Sequence, residues 1–115
     1  YIYNLGRKKE AEIYFNKQIK NAEESIRLKR WYGITGANYD LAGINAFLGD
    51  KEKAYHFLHE VEQTETIDFS SLMRADPLFK NLRNEQEFLE ITRNIDAKYA
   101  AIRAEIQKLR DEGKL

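Results

Sequence analysis

His56 and His59 stand three residues apart, with Glu52 and Glu60 within a turn of them. On a helix that spacing puts both imidazoles on one face, where they and a carboxylate could hold a metal ion. A metal site also needs an outer partner to fix each imidazole, and the surrounding sequence supplies none. The histidines therefore read as solvated side chains, and neither a metal nor a cofactor is expected. Asp40, Glu60, Asp68 and Asp76 are the carboxylates that could form an acid–base pair. Such a pair requires a fixed separation and opposed environments, and no spacing here pairs them. Asp76, directly before Pro77, is accounted for as a helix cap. Cysteine is absent, which excludes disulfides, thiol catalysis and cysteine metal sites. There is no phosphate-binding glycine loop, nucleophile elbow or HExxH pattern. The expectation is a chain that is not an enzyme.

Binding is then the chemistry left to consider. Trp31 and Tyr32 are of the types that anchor interfaces, although burial statistics favour them as core plugs between helices. Trp31, Tyr32, Tyr39 and Tyr55 together suggest an aromatic small-molecule pocket, a pattern that a tyrosine-rich core would share. Arg27, Lys29 and Arg30 cluster at the end of a helical stretch, where they suit the negative end of its dipole. Acidic and basic residues balance at 19 each, so the chain lacks the basic excess of a nucleic-acid or anionic-membrane surface. No apolar run reaches the ~20 residues of a membrane span, and no signal peptide opens the sequence. Direct nucleic-acid and membrane contact are therefore not expected. The compartment stays open, with the cytoplasm favoured and the periplasm allowed.

The elements that must position these residues are helices. With 115 residues, 43% of them hydrophobic, the chain can build one domain with a modest core. A single proline and few alternating apolar–polar runs argue for an all-α fold. Its centre is Tyr39 to Leu58. Leu41, Ile44, Ala46, Phe47 and Leu48 form one stripe at helical spacing, and Ala54, Tyr55, Phe57, Leu58 and Val61 form another. Between them Gly49 closes one helix and Asp50 caps the next. Ala42, Gly43 and Ala54 leave little bulk between the two arms, so their axes can approach to ~8 Å.

Leu5-Gly6-Arg7-Lys8-Lys9-Glu10-Ala11 and Tyr14-Phe15 align without gaps on Leu48-Gly49-Asp50-Lys51-Glu52-Lys53-Ala54 and Phe57-Leu58, an internal repeat. These residues resemble the tetratricopeptide repeat. The resemblance implies antiparallel helical hairpins in a right-handed superhelix, with first helices lining a groove for a peptide or partner domain. It places Asn38 and Tyr39 on that groove, with Gly36, Gly43 and Ala46 between bulkier neighbours. Residues 1–31 would hold the second helix of a partial repeat and 34–63 a complete hairpin. Within the first segment a helix is expected from Lys8 to about Arg30. The two glycines of Trp31 to Gly36 then break it, and Thr35 starts the next.

Glu62 to Asp68 is polar and predicts a loop before a short helix at Phe69 to Arg74. Asp76-Pro77 predicts a further helix start, and Asn84 with Glu87 a third of the capping-box type. Leu72, Arg74-Ala75-Asp76-Pro77-Leu78-Phe79, Leu82-Arg83-Asn84 and Phe88 resemble the closing segment of tetratricopeptide regions in bacterial multidomain regulators. Glu85-Gln86 here replaces a second Asp-Pro of that pattern. The resemblance implies a capping segment at 69–84 in the C-terminal part of a longer regulator, with upstream domains among its partners.

The last helix is expected over 85–113. Phe88, Ile91, Ile95, Tyr99, Ile102, Ile106 and Leu109 form its apolar stripe, interrupted as a heptad by two four-residue steps around Ile95 and Tyr99. Beyond Ala100 the stripe outruns the domain. Ile102, Ile106 and Leu109 therefore need a partner, either a second copy in a homodimer or another domain.

Overall fold

The computed structural model describes residues 8–64 and 67–115, and its regular structure there is entirely helical. In order the elements are α1 (Lys8–Arg27), α2 (Trp31–Thr35), α3 (Ala37–Phe47), α4 (Lys51–Thr64), α5 (Ser70–Ala75), a 3-10 turn (Pro77–Phe79) and α6 (Gln86–Asp111). The corner expected at Gly6 lies outside the described residues.

α3 is the axis. Eight of its residues are buried, Ala37, Tyr39 and the run Leu41 to Ala46, because α1, α4 and the 3-10 turn cover it from different sides. Small side chains allow this crowding. Ala42, Ala46 and Ala54 share the main core with Leu58 and Val61 of α4. The buried Asn45 amide donates to the Leu41 carbonyl at 2.8 Å, so the polar group in this apolar helix is satisfied. The α3–α4 turn forms as its residues dictate. Gly49 adopts φ +87°, Asp50 N–H donates to the Asn45 carbonyl at 2.8 Å, and the Asp50 carboxylate accepts from Lys53 N–H at 3.2 Å.

α1 lies on α3 through two small clusters. Ala11 and Phe15 meet Ile44, and Ala22 meets Ala37 and Leu41. α1 stops at Arg27, three residues short of the expected end, because Lys29 turns left-handed at φ 54°. Lys29 N–H then donates to Ile26 O at 3.1 Å and Arg30 N–H to Ser25 O at 2.9 Å. This closure is one that glycine usually provides. The next six residues differ from expectation more sharply. Trp31–Thr35 is a helix of its own, with Gly33 inside it. Gly33 is there for space: a Cβ on it would lie 2.2 Å from the Ser25 carbonyl oxygen. Thr35 does not cap α3, since its hydroxyl donates back to the Trp31 carbonyl at 2.7 Å. Gly36 takes the cap position instead.

α4 continues to Thr64, through the start of the polar stretch expected to be loop. Asp68 precedes Phe69, the residue that opens α5, and its Oδ1 accepts from Ser70 N–H at 3.1 Å and Ser70 Oγ–H at 2.6 Å. Phe69, Met73, Phe79 and Leu82 carry this capping segment into the main core, where Phe88, Ile91 and Ile95 of α6 join them. α6 starts at Gln86 behind Glu85, which makes no side-chain cap bond. The expected cap by Asn84 and Glu87 does not form, because Glu87 faces His59 across the helix pair. At 26 residues α6 is ~39 Å long. It outruns its support, and the radius of gyration of 16.5 Å exceeds the ~13 Å of a compact chain this size.

Candidate functional site

The concave face expected along α3 is filled by the chain itself. Tyr39 is 5% exposed, its ring stacked on Phe69 with centroids 4.5 Å apart and set edge-on to Phe79 at 5.4 Å. It is a core residue. Gly43 and Ala46 are buried as well, and Leu78 rests on Gly43, where a Cβ would meet its Cδ1 at 3.1 Å. Asn38 is half-buried. The capping segment thus occupies the surface where the repeat resemblance puts a ligand.

Three tyrosine–carboxylate bonds tie the elements together. Tyr39 Oη–H donates to Asp76 Oδ2 at 2.7 Å, while Asp76 Oδ1 accepts from Leu78 N–H at 3.0 Å. Tyr55 Oη–H donates to Glu85 Oε1 at 2.6 Å, and Lys51 pairs with the other oxygen of the same carboxylate. Tyr32 Oη–H donates to Asp40 within the α2–α3 corner. Burial first, then the carboxylate each phenol faces, pushes all three phenols above the ordinary tyrosine range. The Lys51 ammonium, helped by Tyr55, holds the Glu85 carboxyl below the usual range. Arg74, then Ser70, does the same for Asp96.

Asp40, Asp68 and Asp76 are therefore committed to structural bonds. His59 Nε2 sits 2.8 Å from Glu87 and Nδ1 3.7 Å from Glu62, while His56 lies edge-on to Phe57. Among the described residues no three His, Asp or Glu are grouped to hold a metal ion.

The aromatic residues suggested as a pocket are not brought together. Tyr39 and Tyr55 are in the main core, and Tyr32 packs on the smaller cluster of α1 and α3. Trp31 is 77% exposed, so it plugs no core. Leu28 and Ile34 are exposed beside it in sequence, and the i, i+3 spacing of Trp31 and Ile34 puts both on the outer face of α2. That spacing is present in the sequence, but Gly33 and Gly36 give the same segment the composition of a helix break.

From Ala100 onward α6 is exposed along almost its whole length. Ile102 is 44% and Ile106 38% exposed, with Leu109 half-buried in the same stripe. Arg103 reaches back to Asp68, with 3.7 Å between Nη1 and Oδ2. No described helix is long and apolar enough to cross a membrane.

No protein-family model, curated protein or solved structure matches this chain.

The tyrosine bonds make a pH prediction. In the unfolded chain a tyrosine ionises near 10, whereas Tyr32, Tyr39 and Tyr55 are held protonated above that value in the fold. Their raised pKa values stabilise the fold fully below pH ~10, and that contribution drains as pH rises toward the folded values. Alkaline titration followed by tyrosinate absorbance and circular dichroism should show these phenols ionising only as helicity is lost. Ionisation of every tyrosine near pH ~10 with helicity intact would mean that the bonds do not form in solution.

Proposed function

We propose that the chain is a non-enzymatic protein–protein interaction module whose docking element is the distal half of α6, and that the occupant is a second copy of the chain. The observation that carries this is the apolar stripe of distal α6, in which Ile102 and Ile106 are exposed and Leu109 half-buried; it continues from Tyr99, which still packs on the main core, at spacings of 3, 4 and 3. That spacing is a heptad seam. If Tyr99 and Ile106 take the a positions and Ile102 and Leu109 the d positions, Glu105 falls at g and Arg110 at e. Two parallel copies then place each Glu105 against the other's Arg110, an attractive pair across the seam. Lys98 would face Arg103 in that register, but Arg103 already leans onto Asp68 of its own chain. The tetratricopeptide resemblance, with its setting among bacterial regulators, agrees with an association module and adds upstream domains as competing occupants.

Two heptads bury little area, so self-association should be weak, appearing at roughly 100 µM and above, as for interfaces below about 1,200 Å2. Ile106→Glu puts a charge into the seam without touching the core. Sedimentation equilibrium should show mass rising with concentration for the intact chain and not for this variant, with thermal midpoints alike. A monomeric intact chain across that range overturns the second copy as occupant, and equal association of both chains places the interface elsewhere.

A further inference from the structure

Beside the first turns of α6 lies a cleft of about 310 Å3, bounded by Arg74 of α5, Arg83 and Asn84 of the loop, and Leu89 and Arg93 of α6. Its lining contains three guanidinium groups and no carboxylate. Arg74 is neutralised by Asp96. Arg83 is not neutralised: it is half-buried, its Nη2–H donates only to the neutral Asp76 carbonyl at 2.7 Å, and its buried Nε has no acceptor. A guanidinium in that position is costly unless an anion joins it. Arg93 stands exposed on the rim.

The carboxylates on the neighbouring turns each have a partner other than Arg83 or Arg93. Glu85 binds Lys51 and Tyr55, Glu87 faces His59, and Glu90 accepts from Gln86 at 3.1 Å. Glu85 caps none of the free amides that open α6, and the cleft lies along the first two turns of that helix, nearer its positive end than its negative one.

We infer that this cleft is a binding site for a small organic phosphate monoester. Two uncompensated cations, Arg83 and Arg93, match the charge of a phosphate dianion, and guanidinium forks suit its oxygens. The volume exceeds what one phosphate group fills, and Leu89 with the edge of Phe88 offers an apolar wall for the attached organic group. This site is independent of α6 self-association, since Arg83 and Arg93 precede the exposed seam.

Phenyl phosphate is the probe, titrated into the intact chain at low salt and followed by calorimetry and by backbone amide shifts. Saturation at or below about 1 mM is expected, with shifts concentrated at residues 83–93. Benzenesulfonate, with the same ring and a single charge, should bind at least about tenfold more weakly, as should inorganic phosphate, which lacks the ring. Arg93→Gln touches no bond of the fold and should weaken phenyl phosphate about tenfold with an unchanged thermal midpoint. Arg83→Lys keeps the charge and loses the fork, and should also weaken binding. Linear, unsaturated heats to about 10 mM, equal affinity of Arg93→Gln and the parent chain, or shifts centred on Arg27, Lys29 and Arg30 would each overturn the site.

Discussion

Gly33→Ala is expected to destabilise the fold by about 3 kcal/mol or more, the upper range for overpacking. The added methyl would sit 2.2 Å from Ser25 O, 2.4 Å from Ser25 C and 2.7 Å from Ile26 N. All three are backbone atoms in the last turn of α1, which cannot rotate aside as a side-chain tip can. Ser25 O is moreover the acceptor for Arg30 N–H at 2.9 Å, the bond that closes α1. Relief therefore demands either lifting α2 off α1 or opening that closure, and either one frees Tyr32 from its seat beside Ala37 and Leu41. Gly49→Ala makes the comparison. Gly49 has open space around it and a left-handed φ of +87°, so alanine there costs only the conformational strain, about 1 kcal/mol. Urea unfolding of both variants should rank Gly33→Ala well below Gly49→Ala. The reverse order would mean that α2 is not seated on α1 as described.

That ranking shows what the sequence could and could not convey. Gly49 was legible because a helix-closing glycine acts locally: its neighbours Leu48 and Asp50 already say that one helix ends and another begins. Gly33 acts at a distance, through a contact with Ser25, and nothing adjacent to it announces the approach. Lys29 shows the converse, a left-handed closure made by a residue that does not advertise it. The aligned repeat was partly informative. Ala11 and Ala54 are both buried, as are Phe15 and Leu58, whereas Tyr14 is 56% exposed and Phe57 half-buried.

The Asp76-Pro77 start was legible from residue type, and the resemblance marked Leu78, Phe79, Leu82 and Phe88 as apolar anchors, of which the last three are buried and Leu78 half-buried. Their destination was not. Periodicity gives the face a residue occupies and leaves open which neighbour covers it, so Tyr39 could be assigned to a groove that the capping segment in fact fills. The arginine cleft was hidden for the same reason: Arg74, Arg83 and Arg93 sit on three different elements and share no spacing. Ile102 and Ile106, by contrast, were predictable as unpartnered, because a helix that outruns its core exposes its stripe whatever the tertiary packing.

Phe79→Ala is expected to cost about 3–5 kcal/mol, the range for emptying a fully buried aromatic site. Phe79 is wholly buried and touches what each neighbouring element contributes. The Tyr39 ring of α3 lies at 5.4 Å, the Phe88 ring of α6 at 5.5 Å, and the face of Gly43 is beside it. Removing the ring leaves rigid walls on three sides, and the backbone of the 3-10 turn is pinned by Asp76 through Leu78 N–H and Arg83, so the space cannot collapse cheaply. Against a typical total stability of about 5–15 kcal/mol, this single change approaches the unfolding threshold. Tyr39→Phe separates packing from hydrogen bonding at the same place. It keeps the stacked ring and deletes the bond to Asp76, which retains Leu78 N–H as a donor, so the cost should be only about 1 kcal/mol. Thermal unfolding of the two variants decides the matter. A large loss for Phe79→Ala with a small one for Tyr39→Phe means that the cap is held by its ring stack. Comparable losses would instead make the buried Tyr39–Asp76 bond the main latch, and α6, anchored through Phe88, would then owe its orientation to one carboxylate.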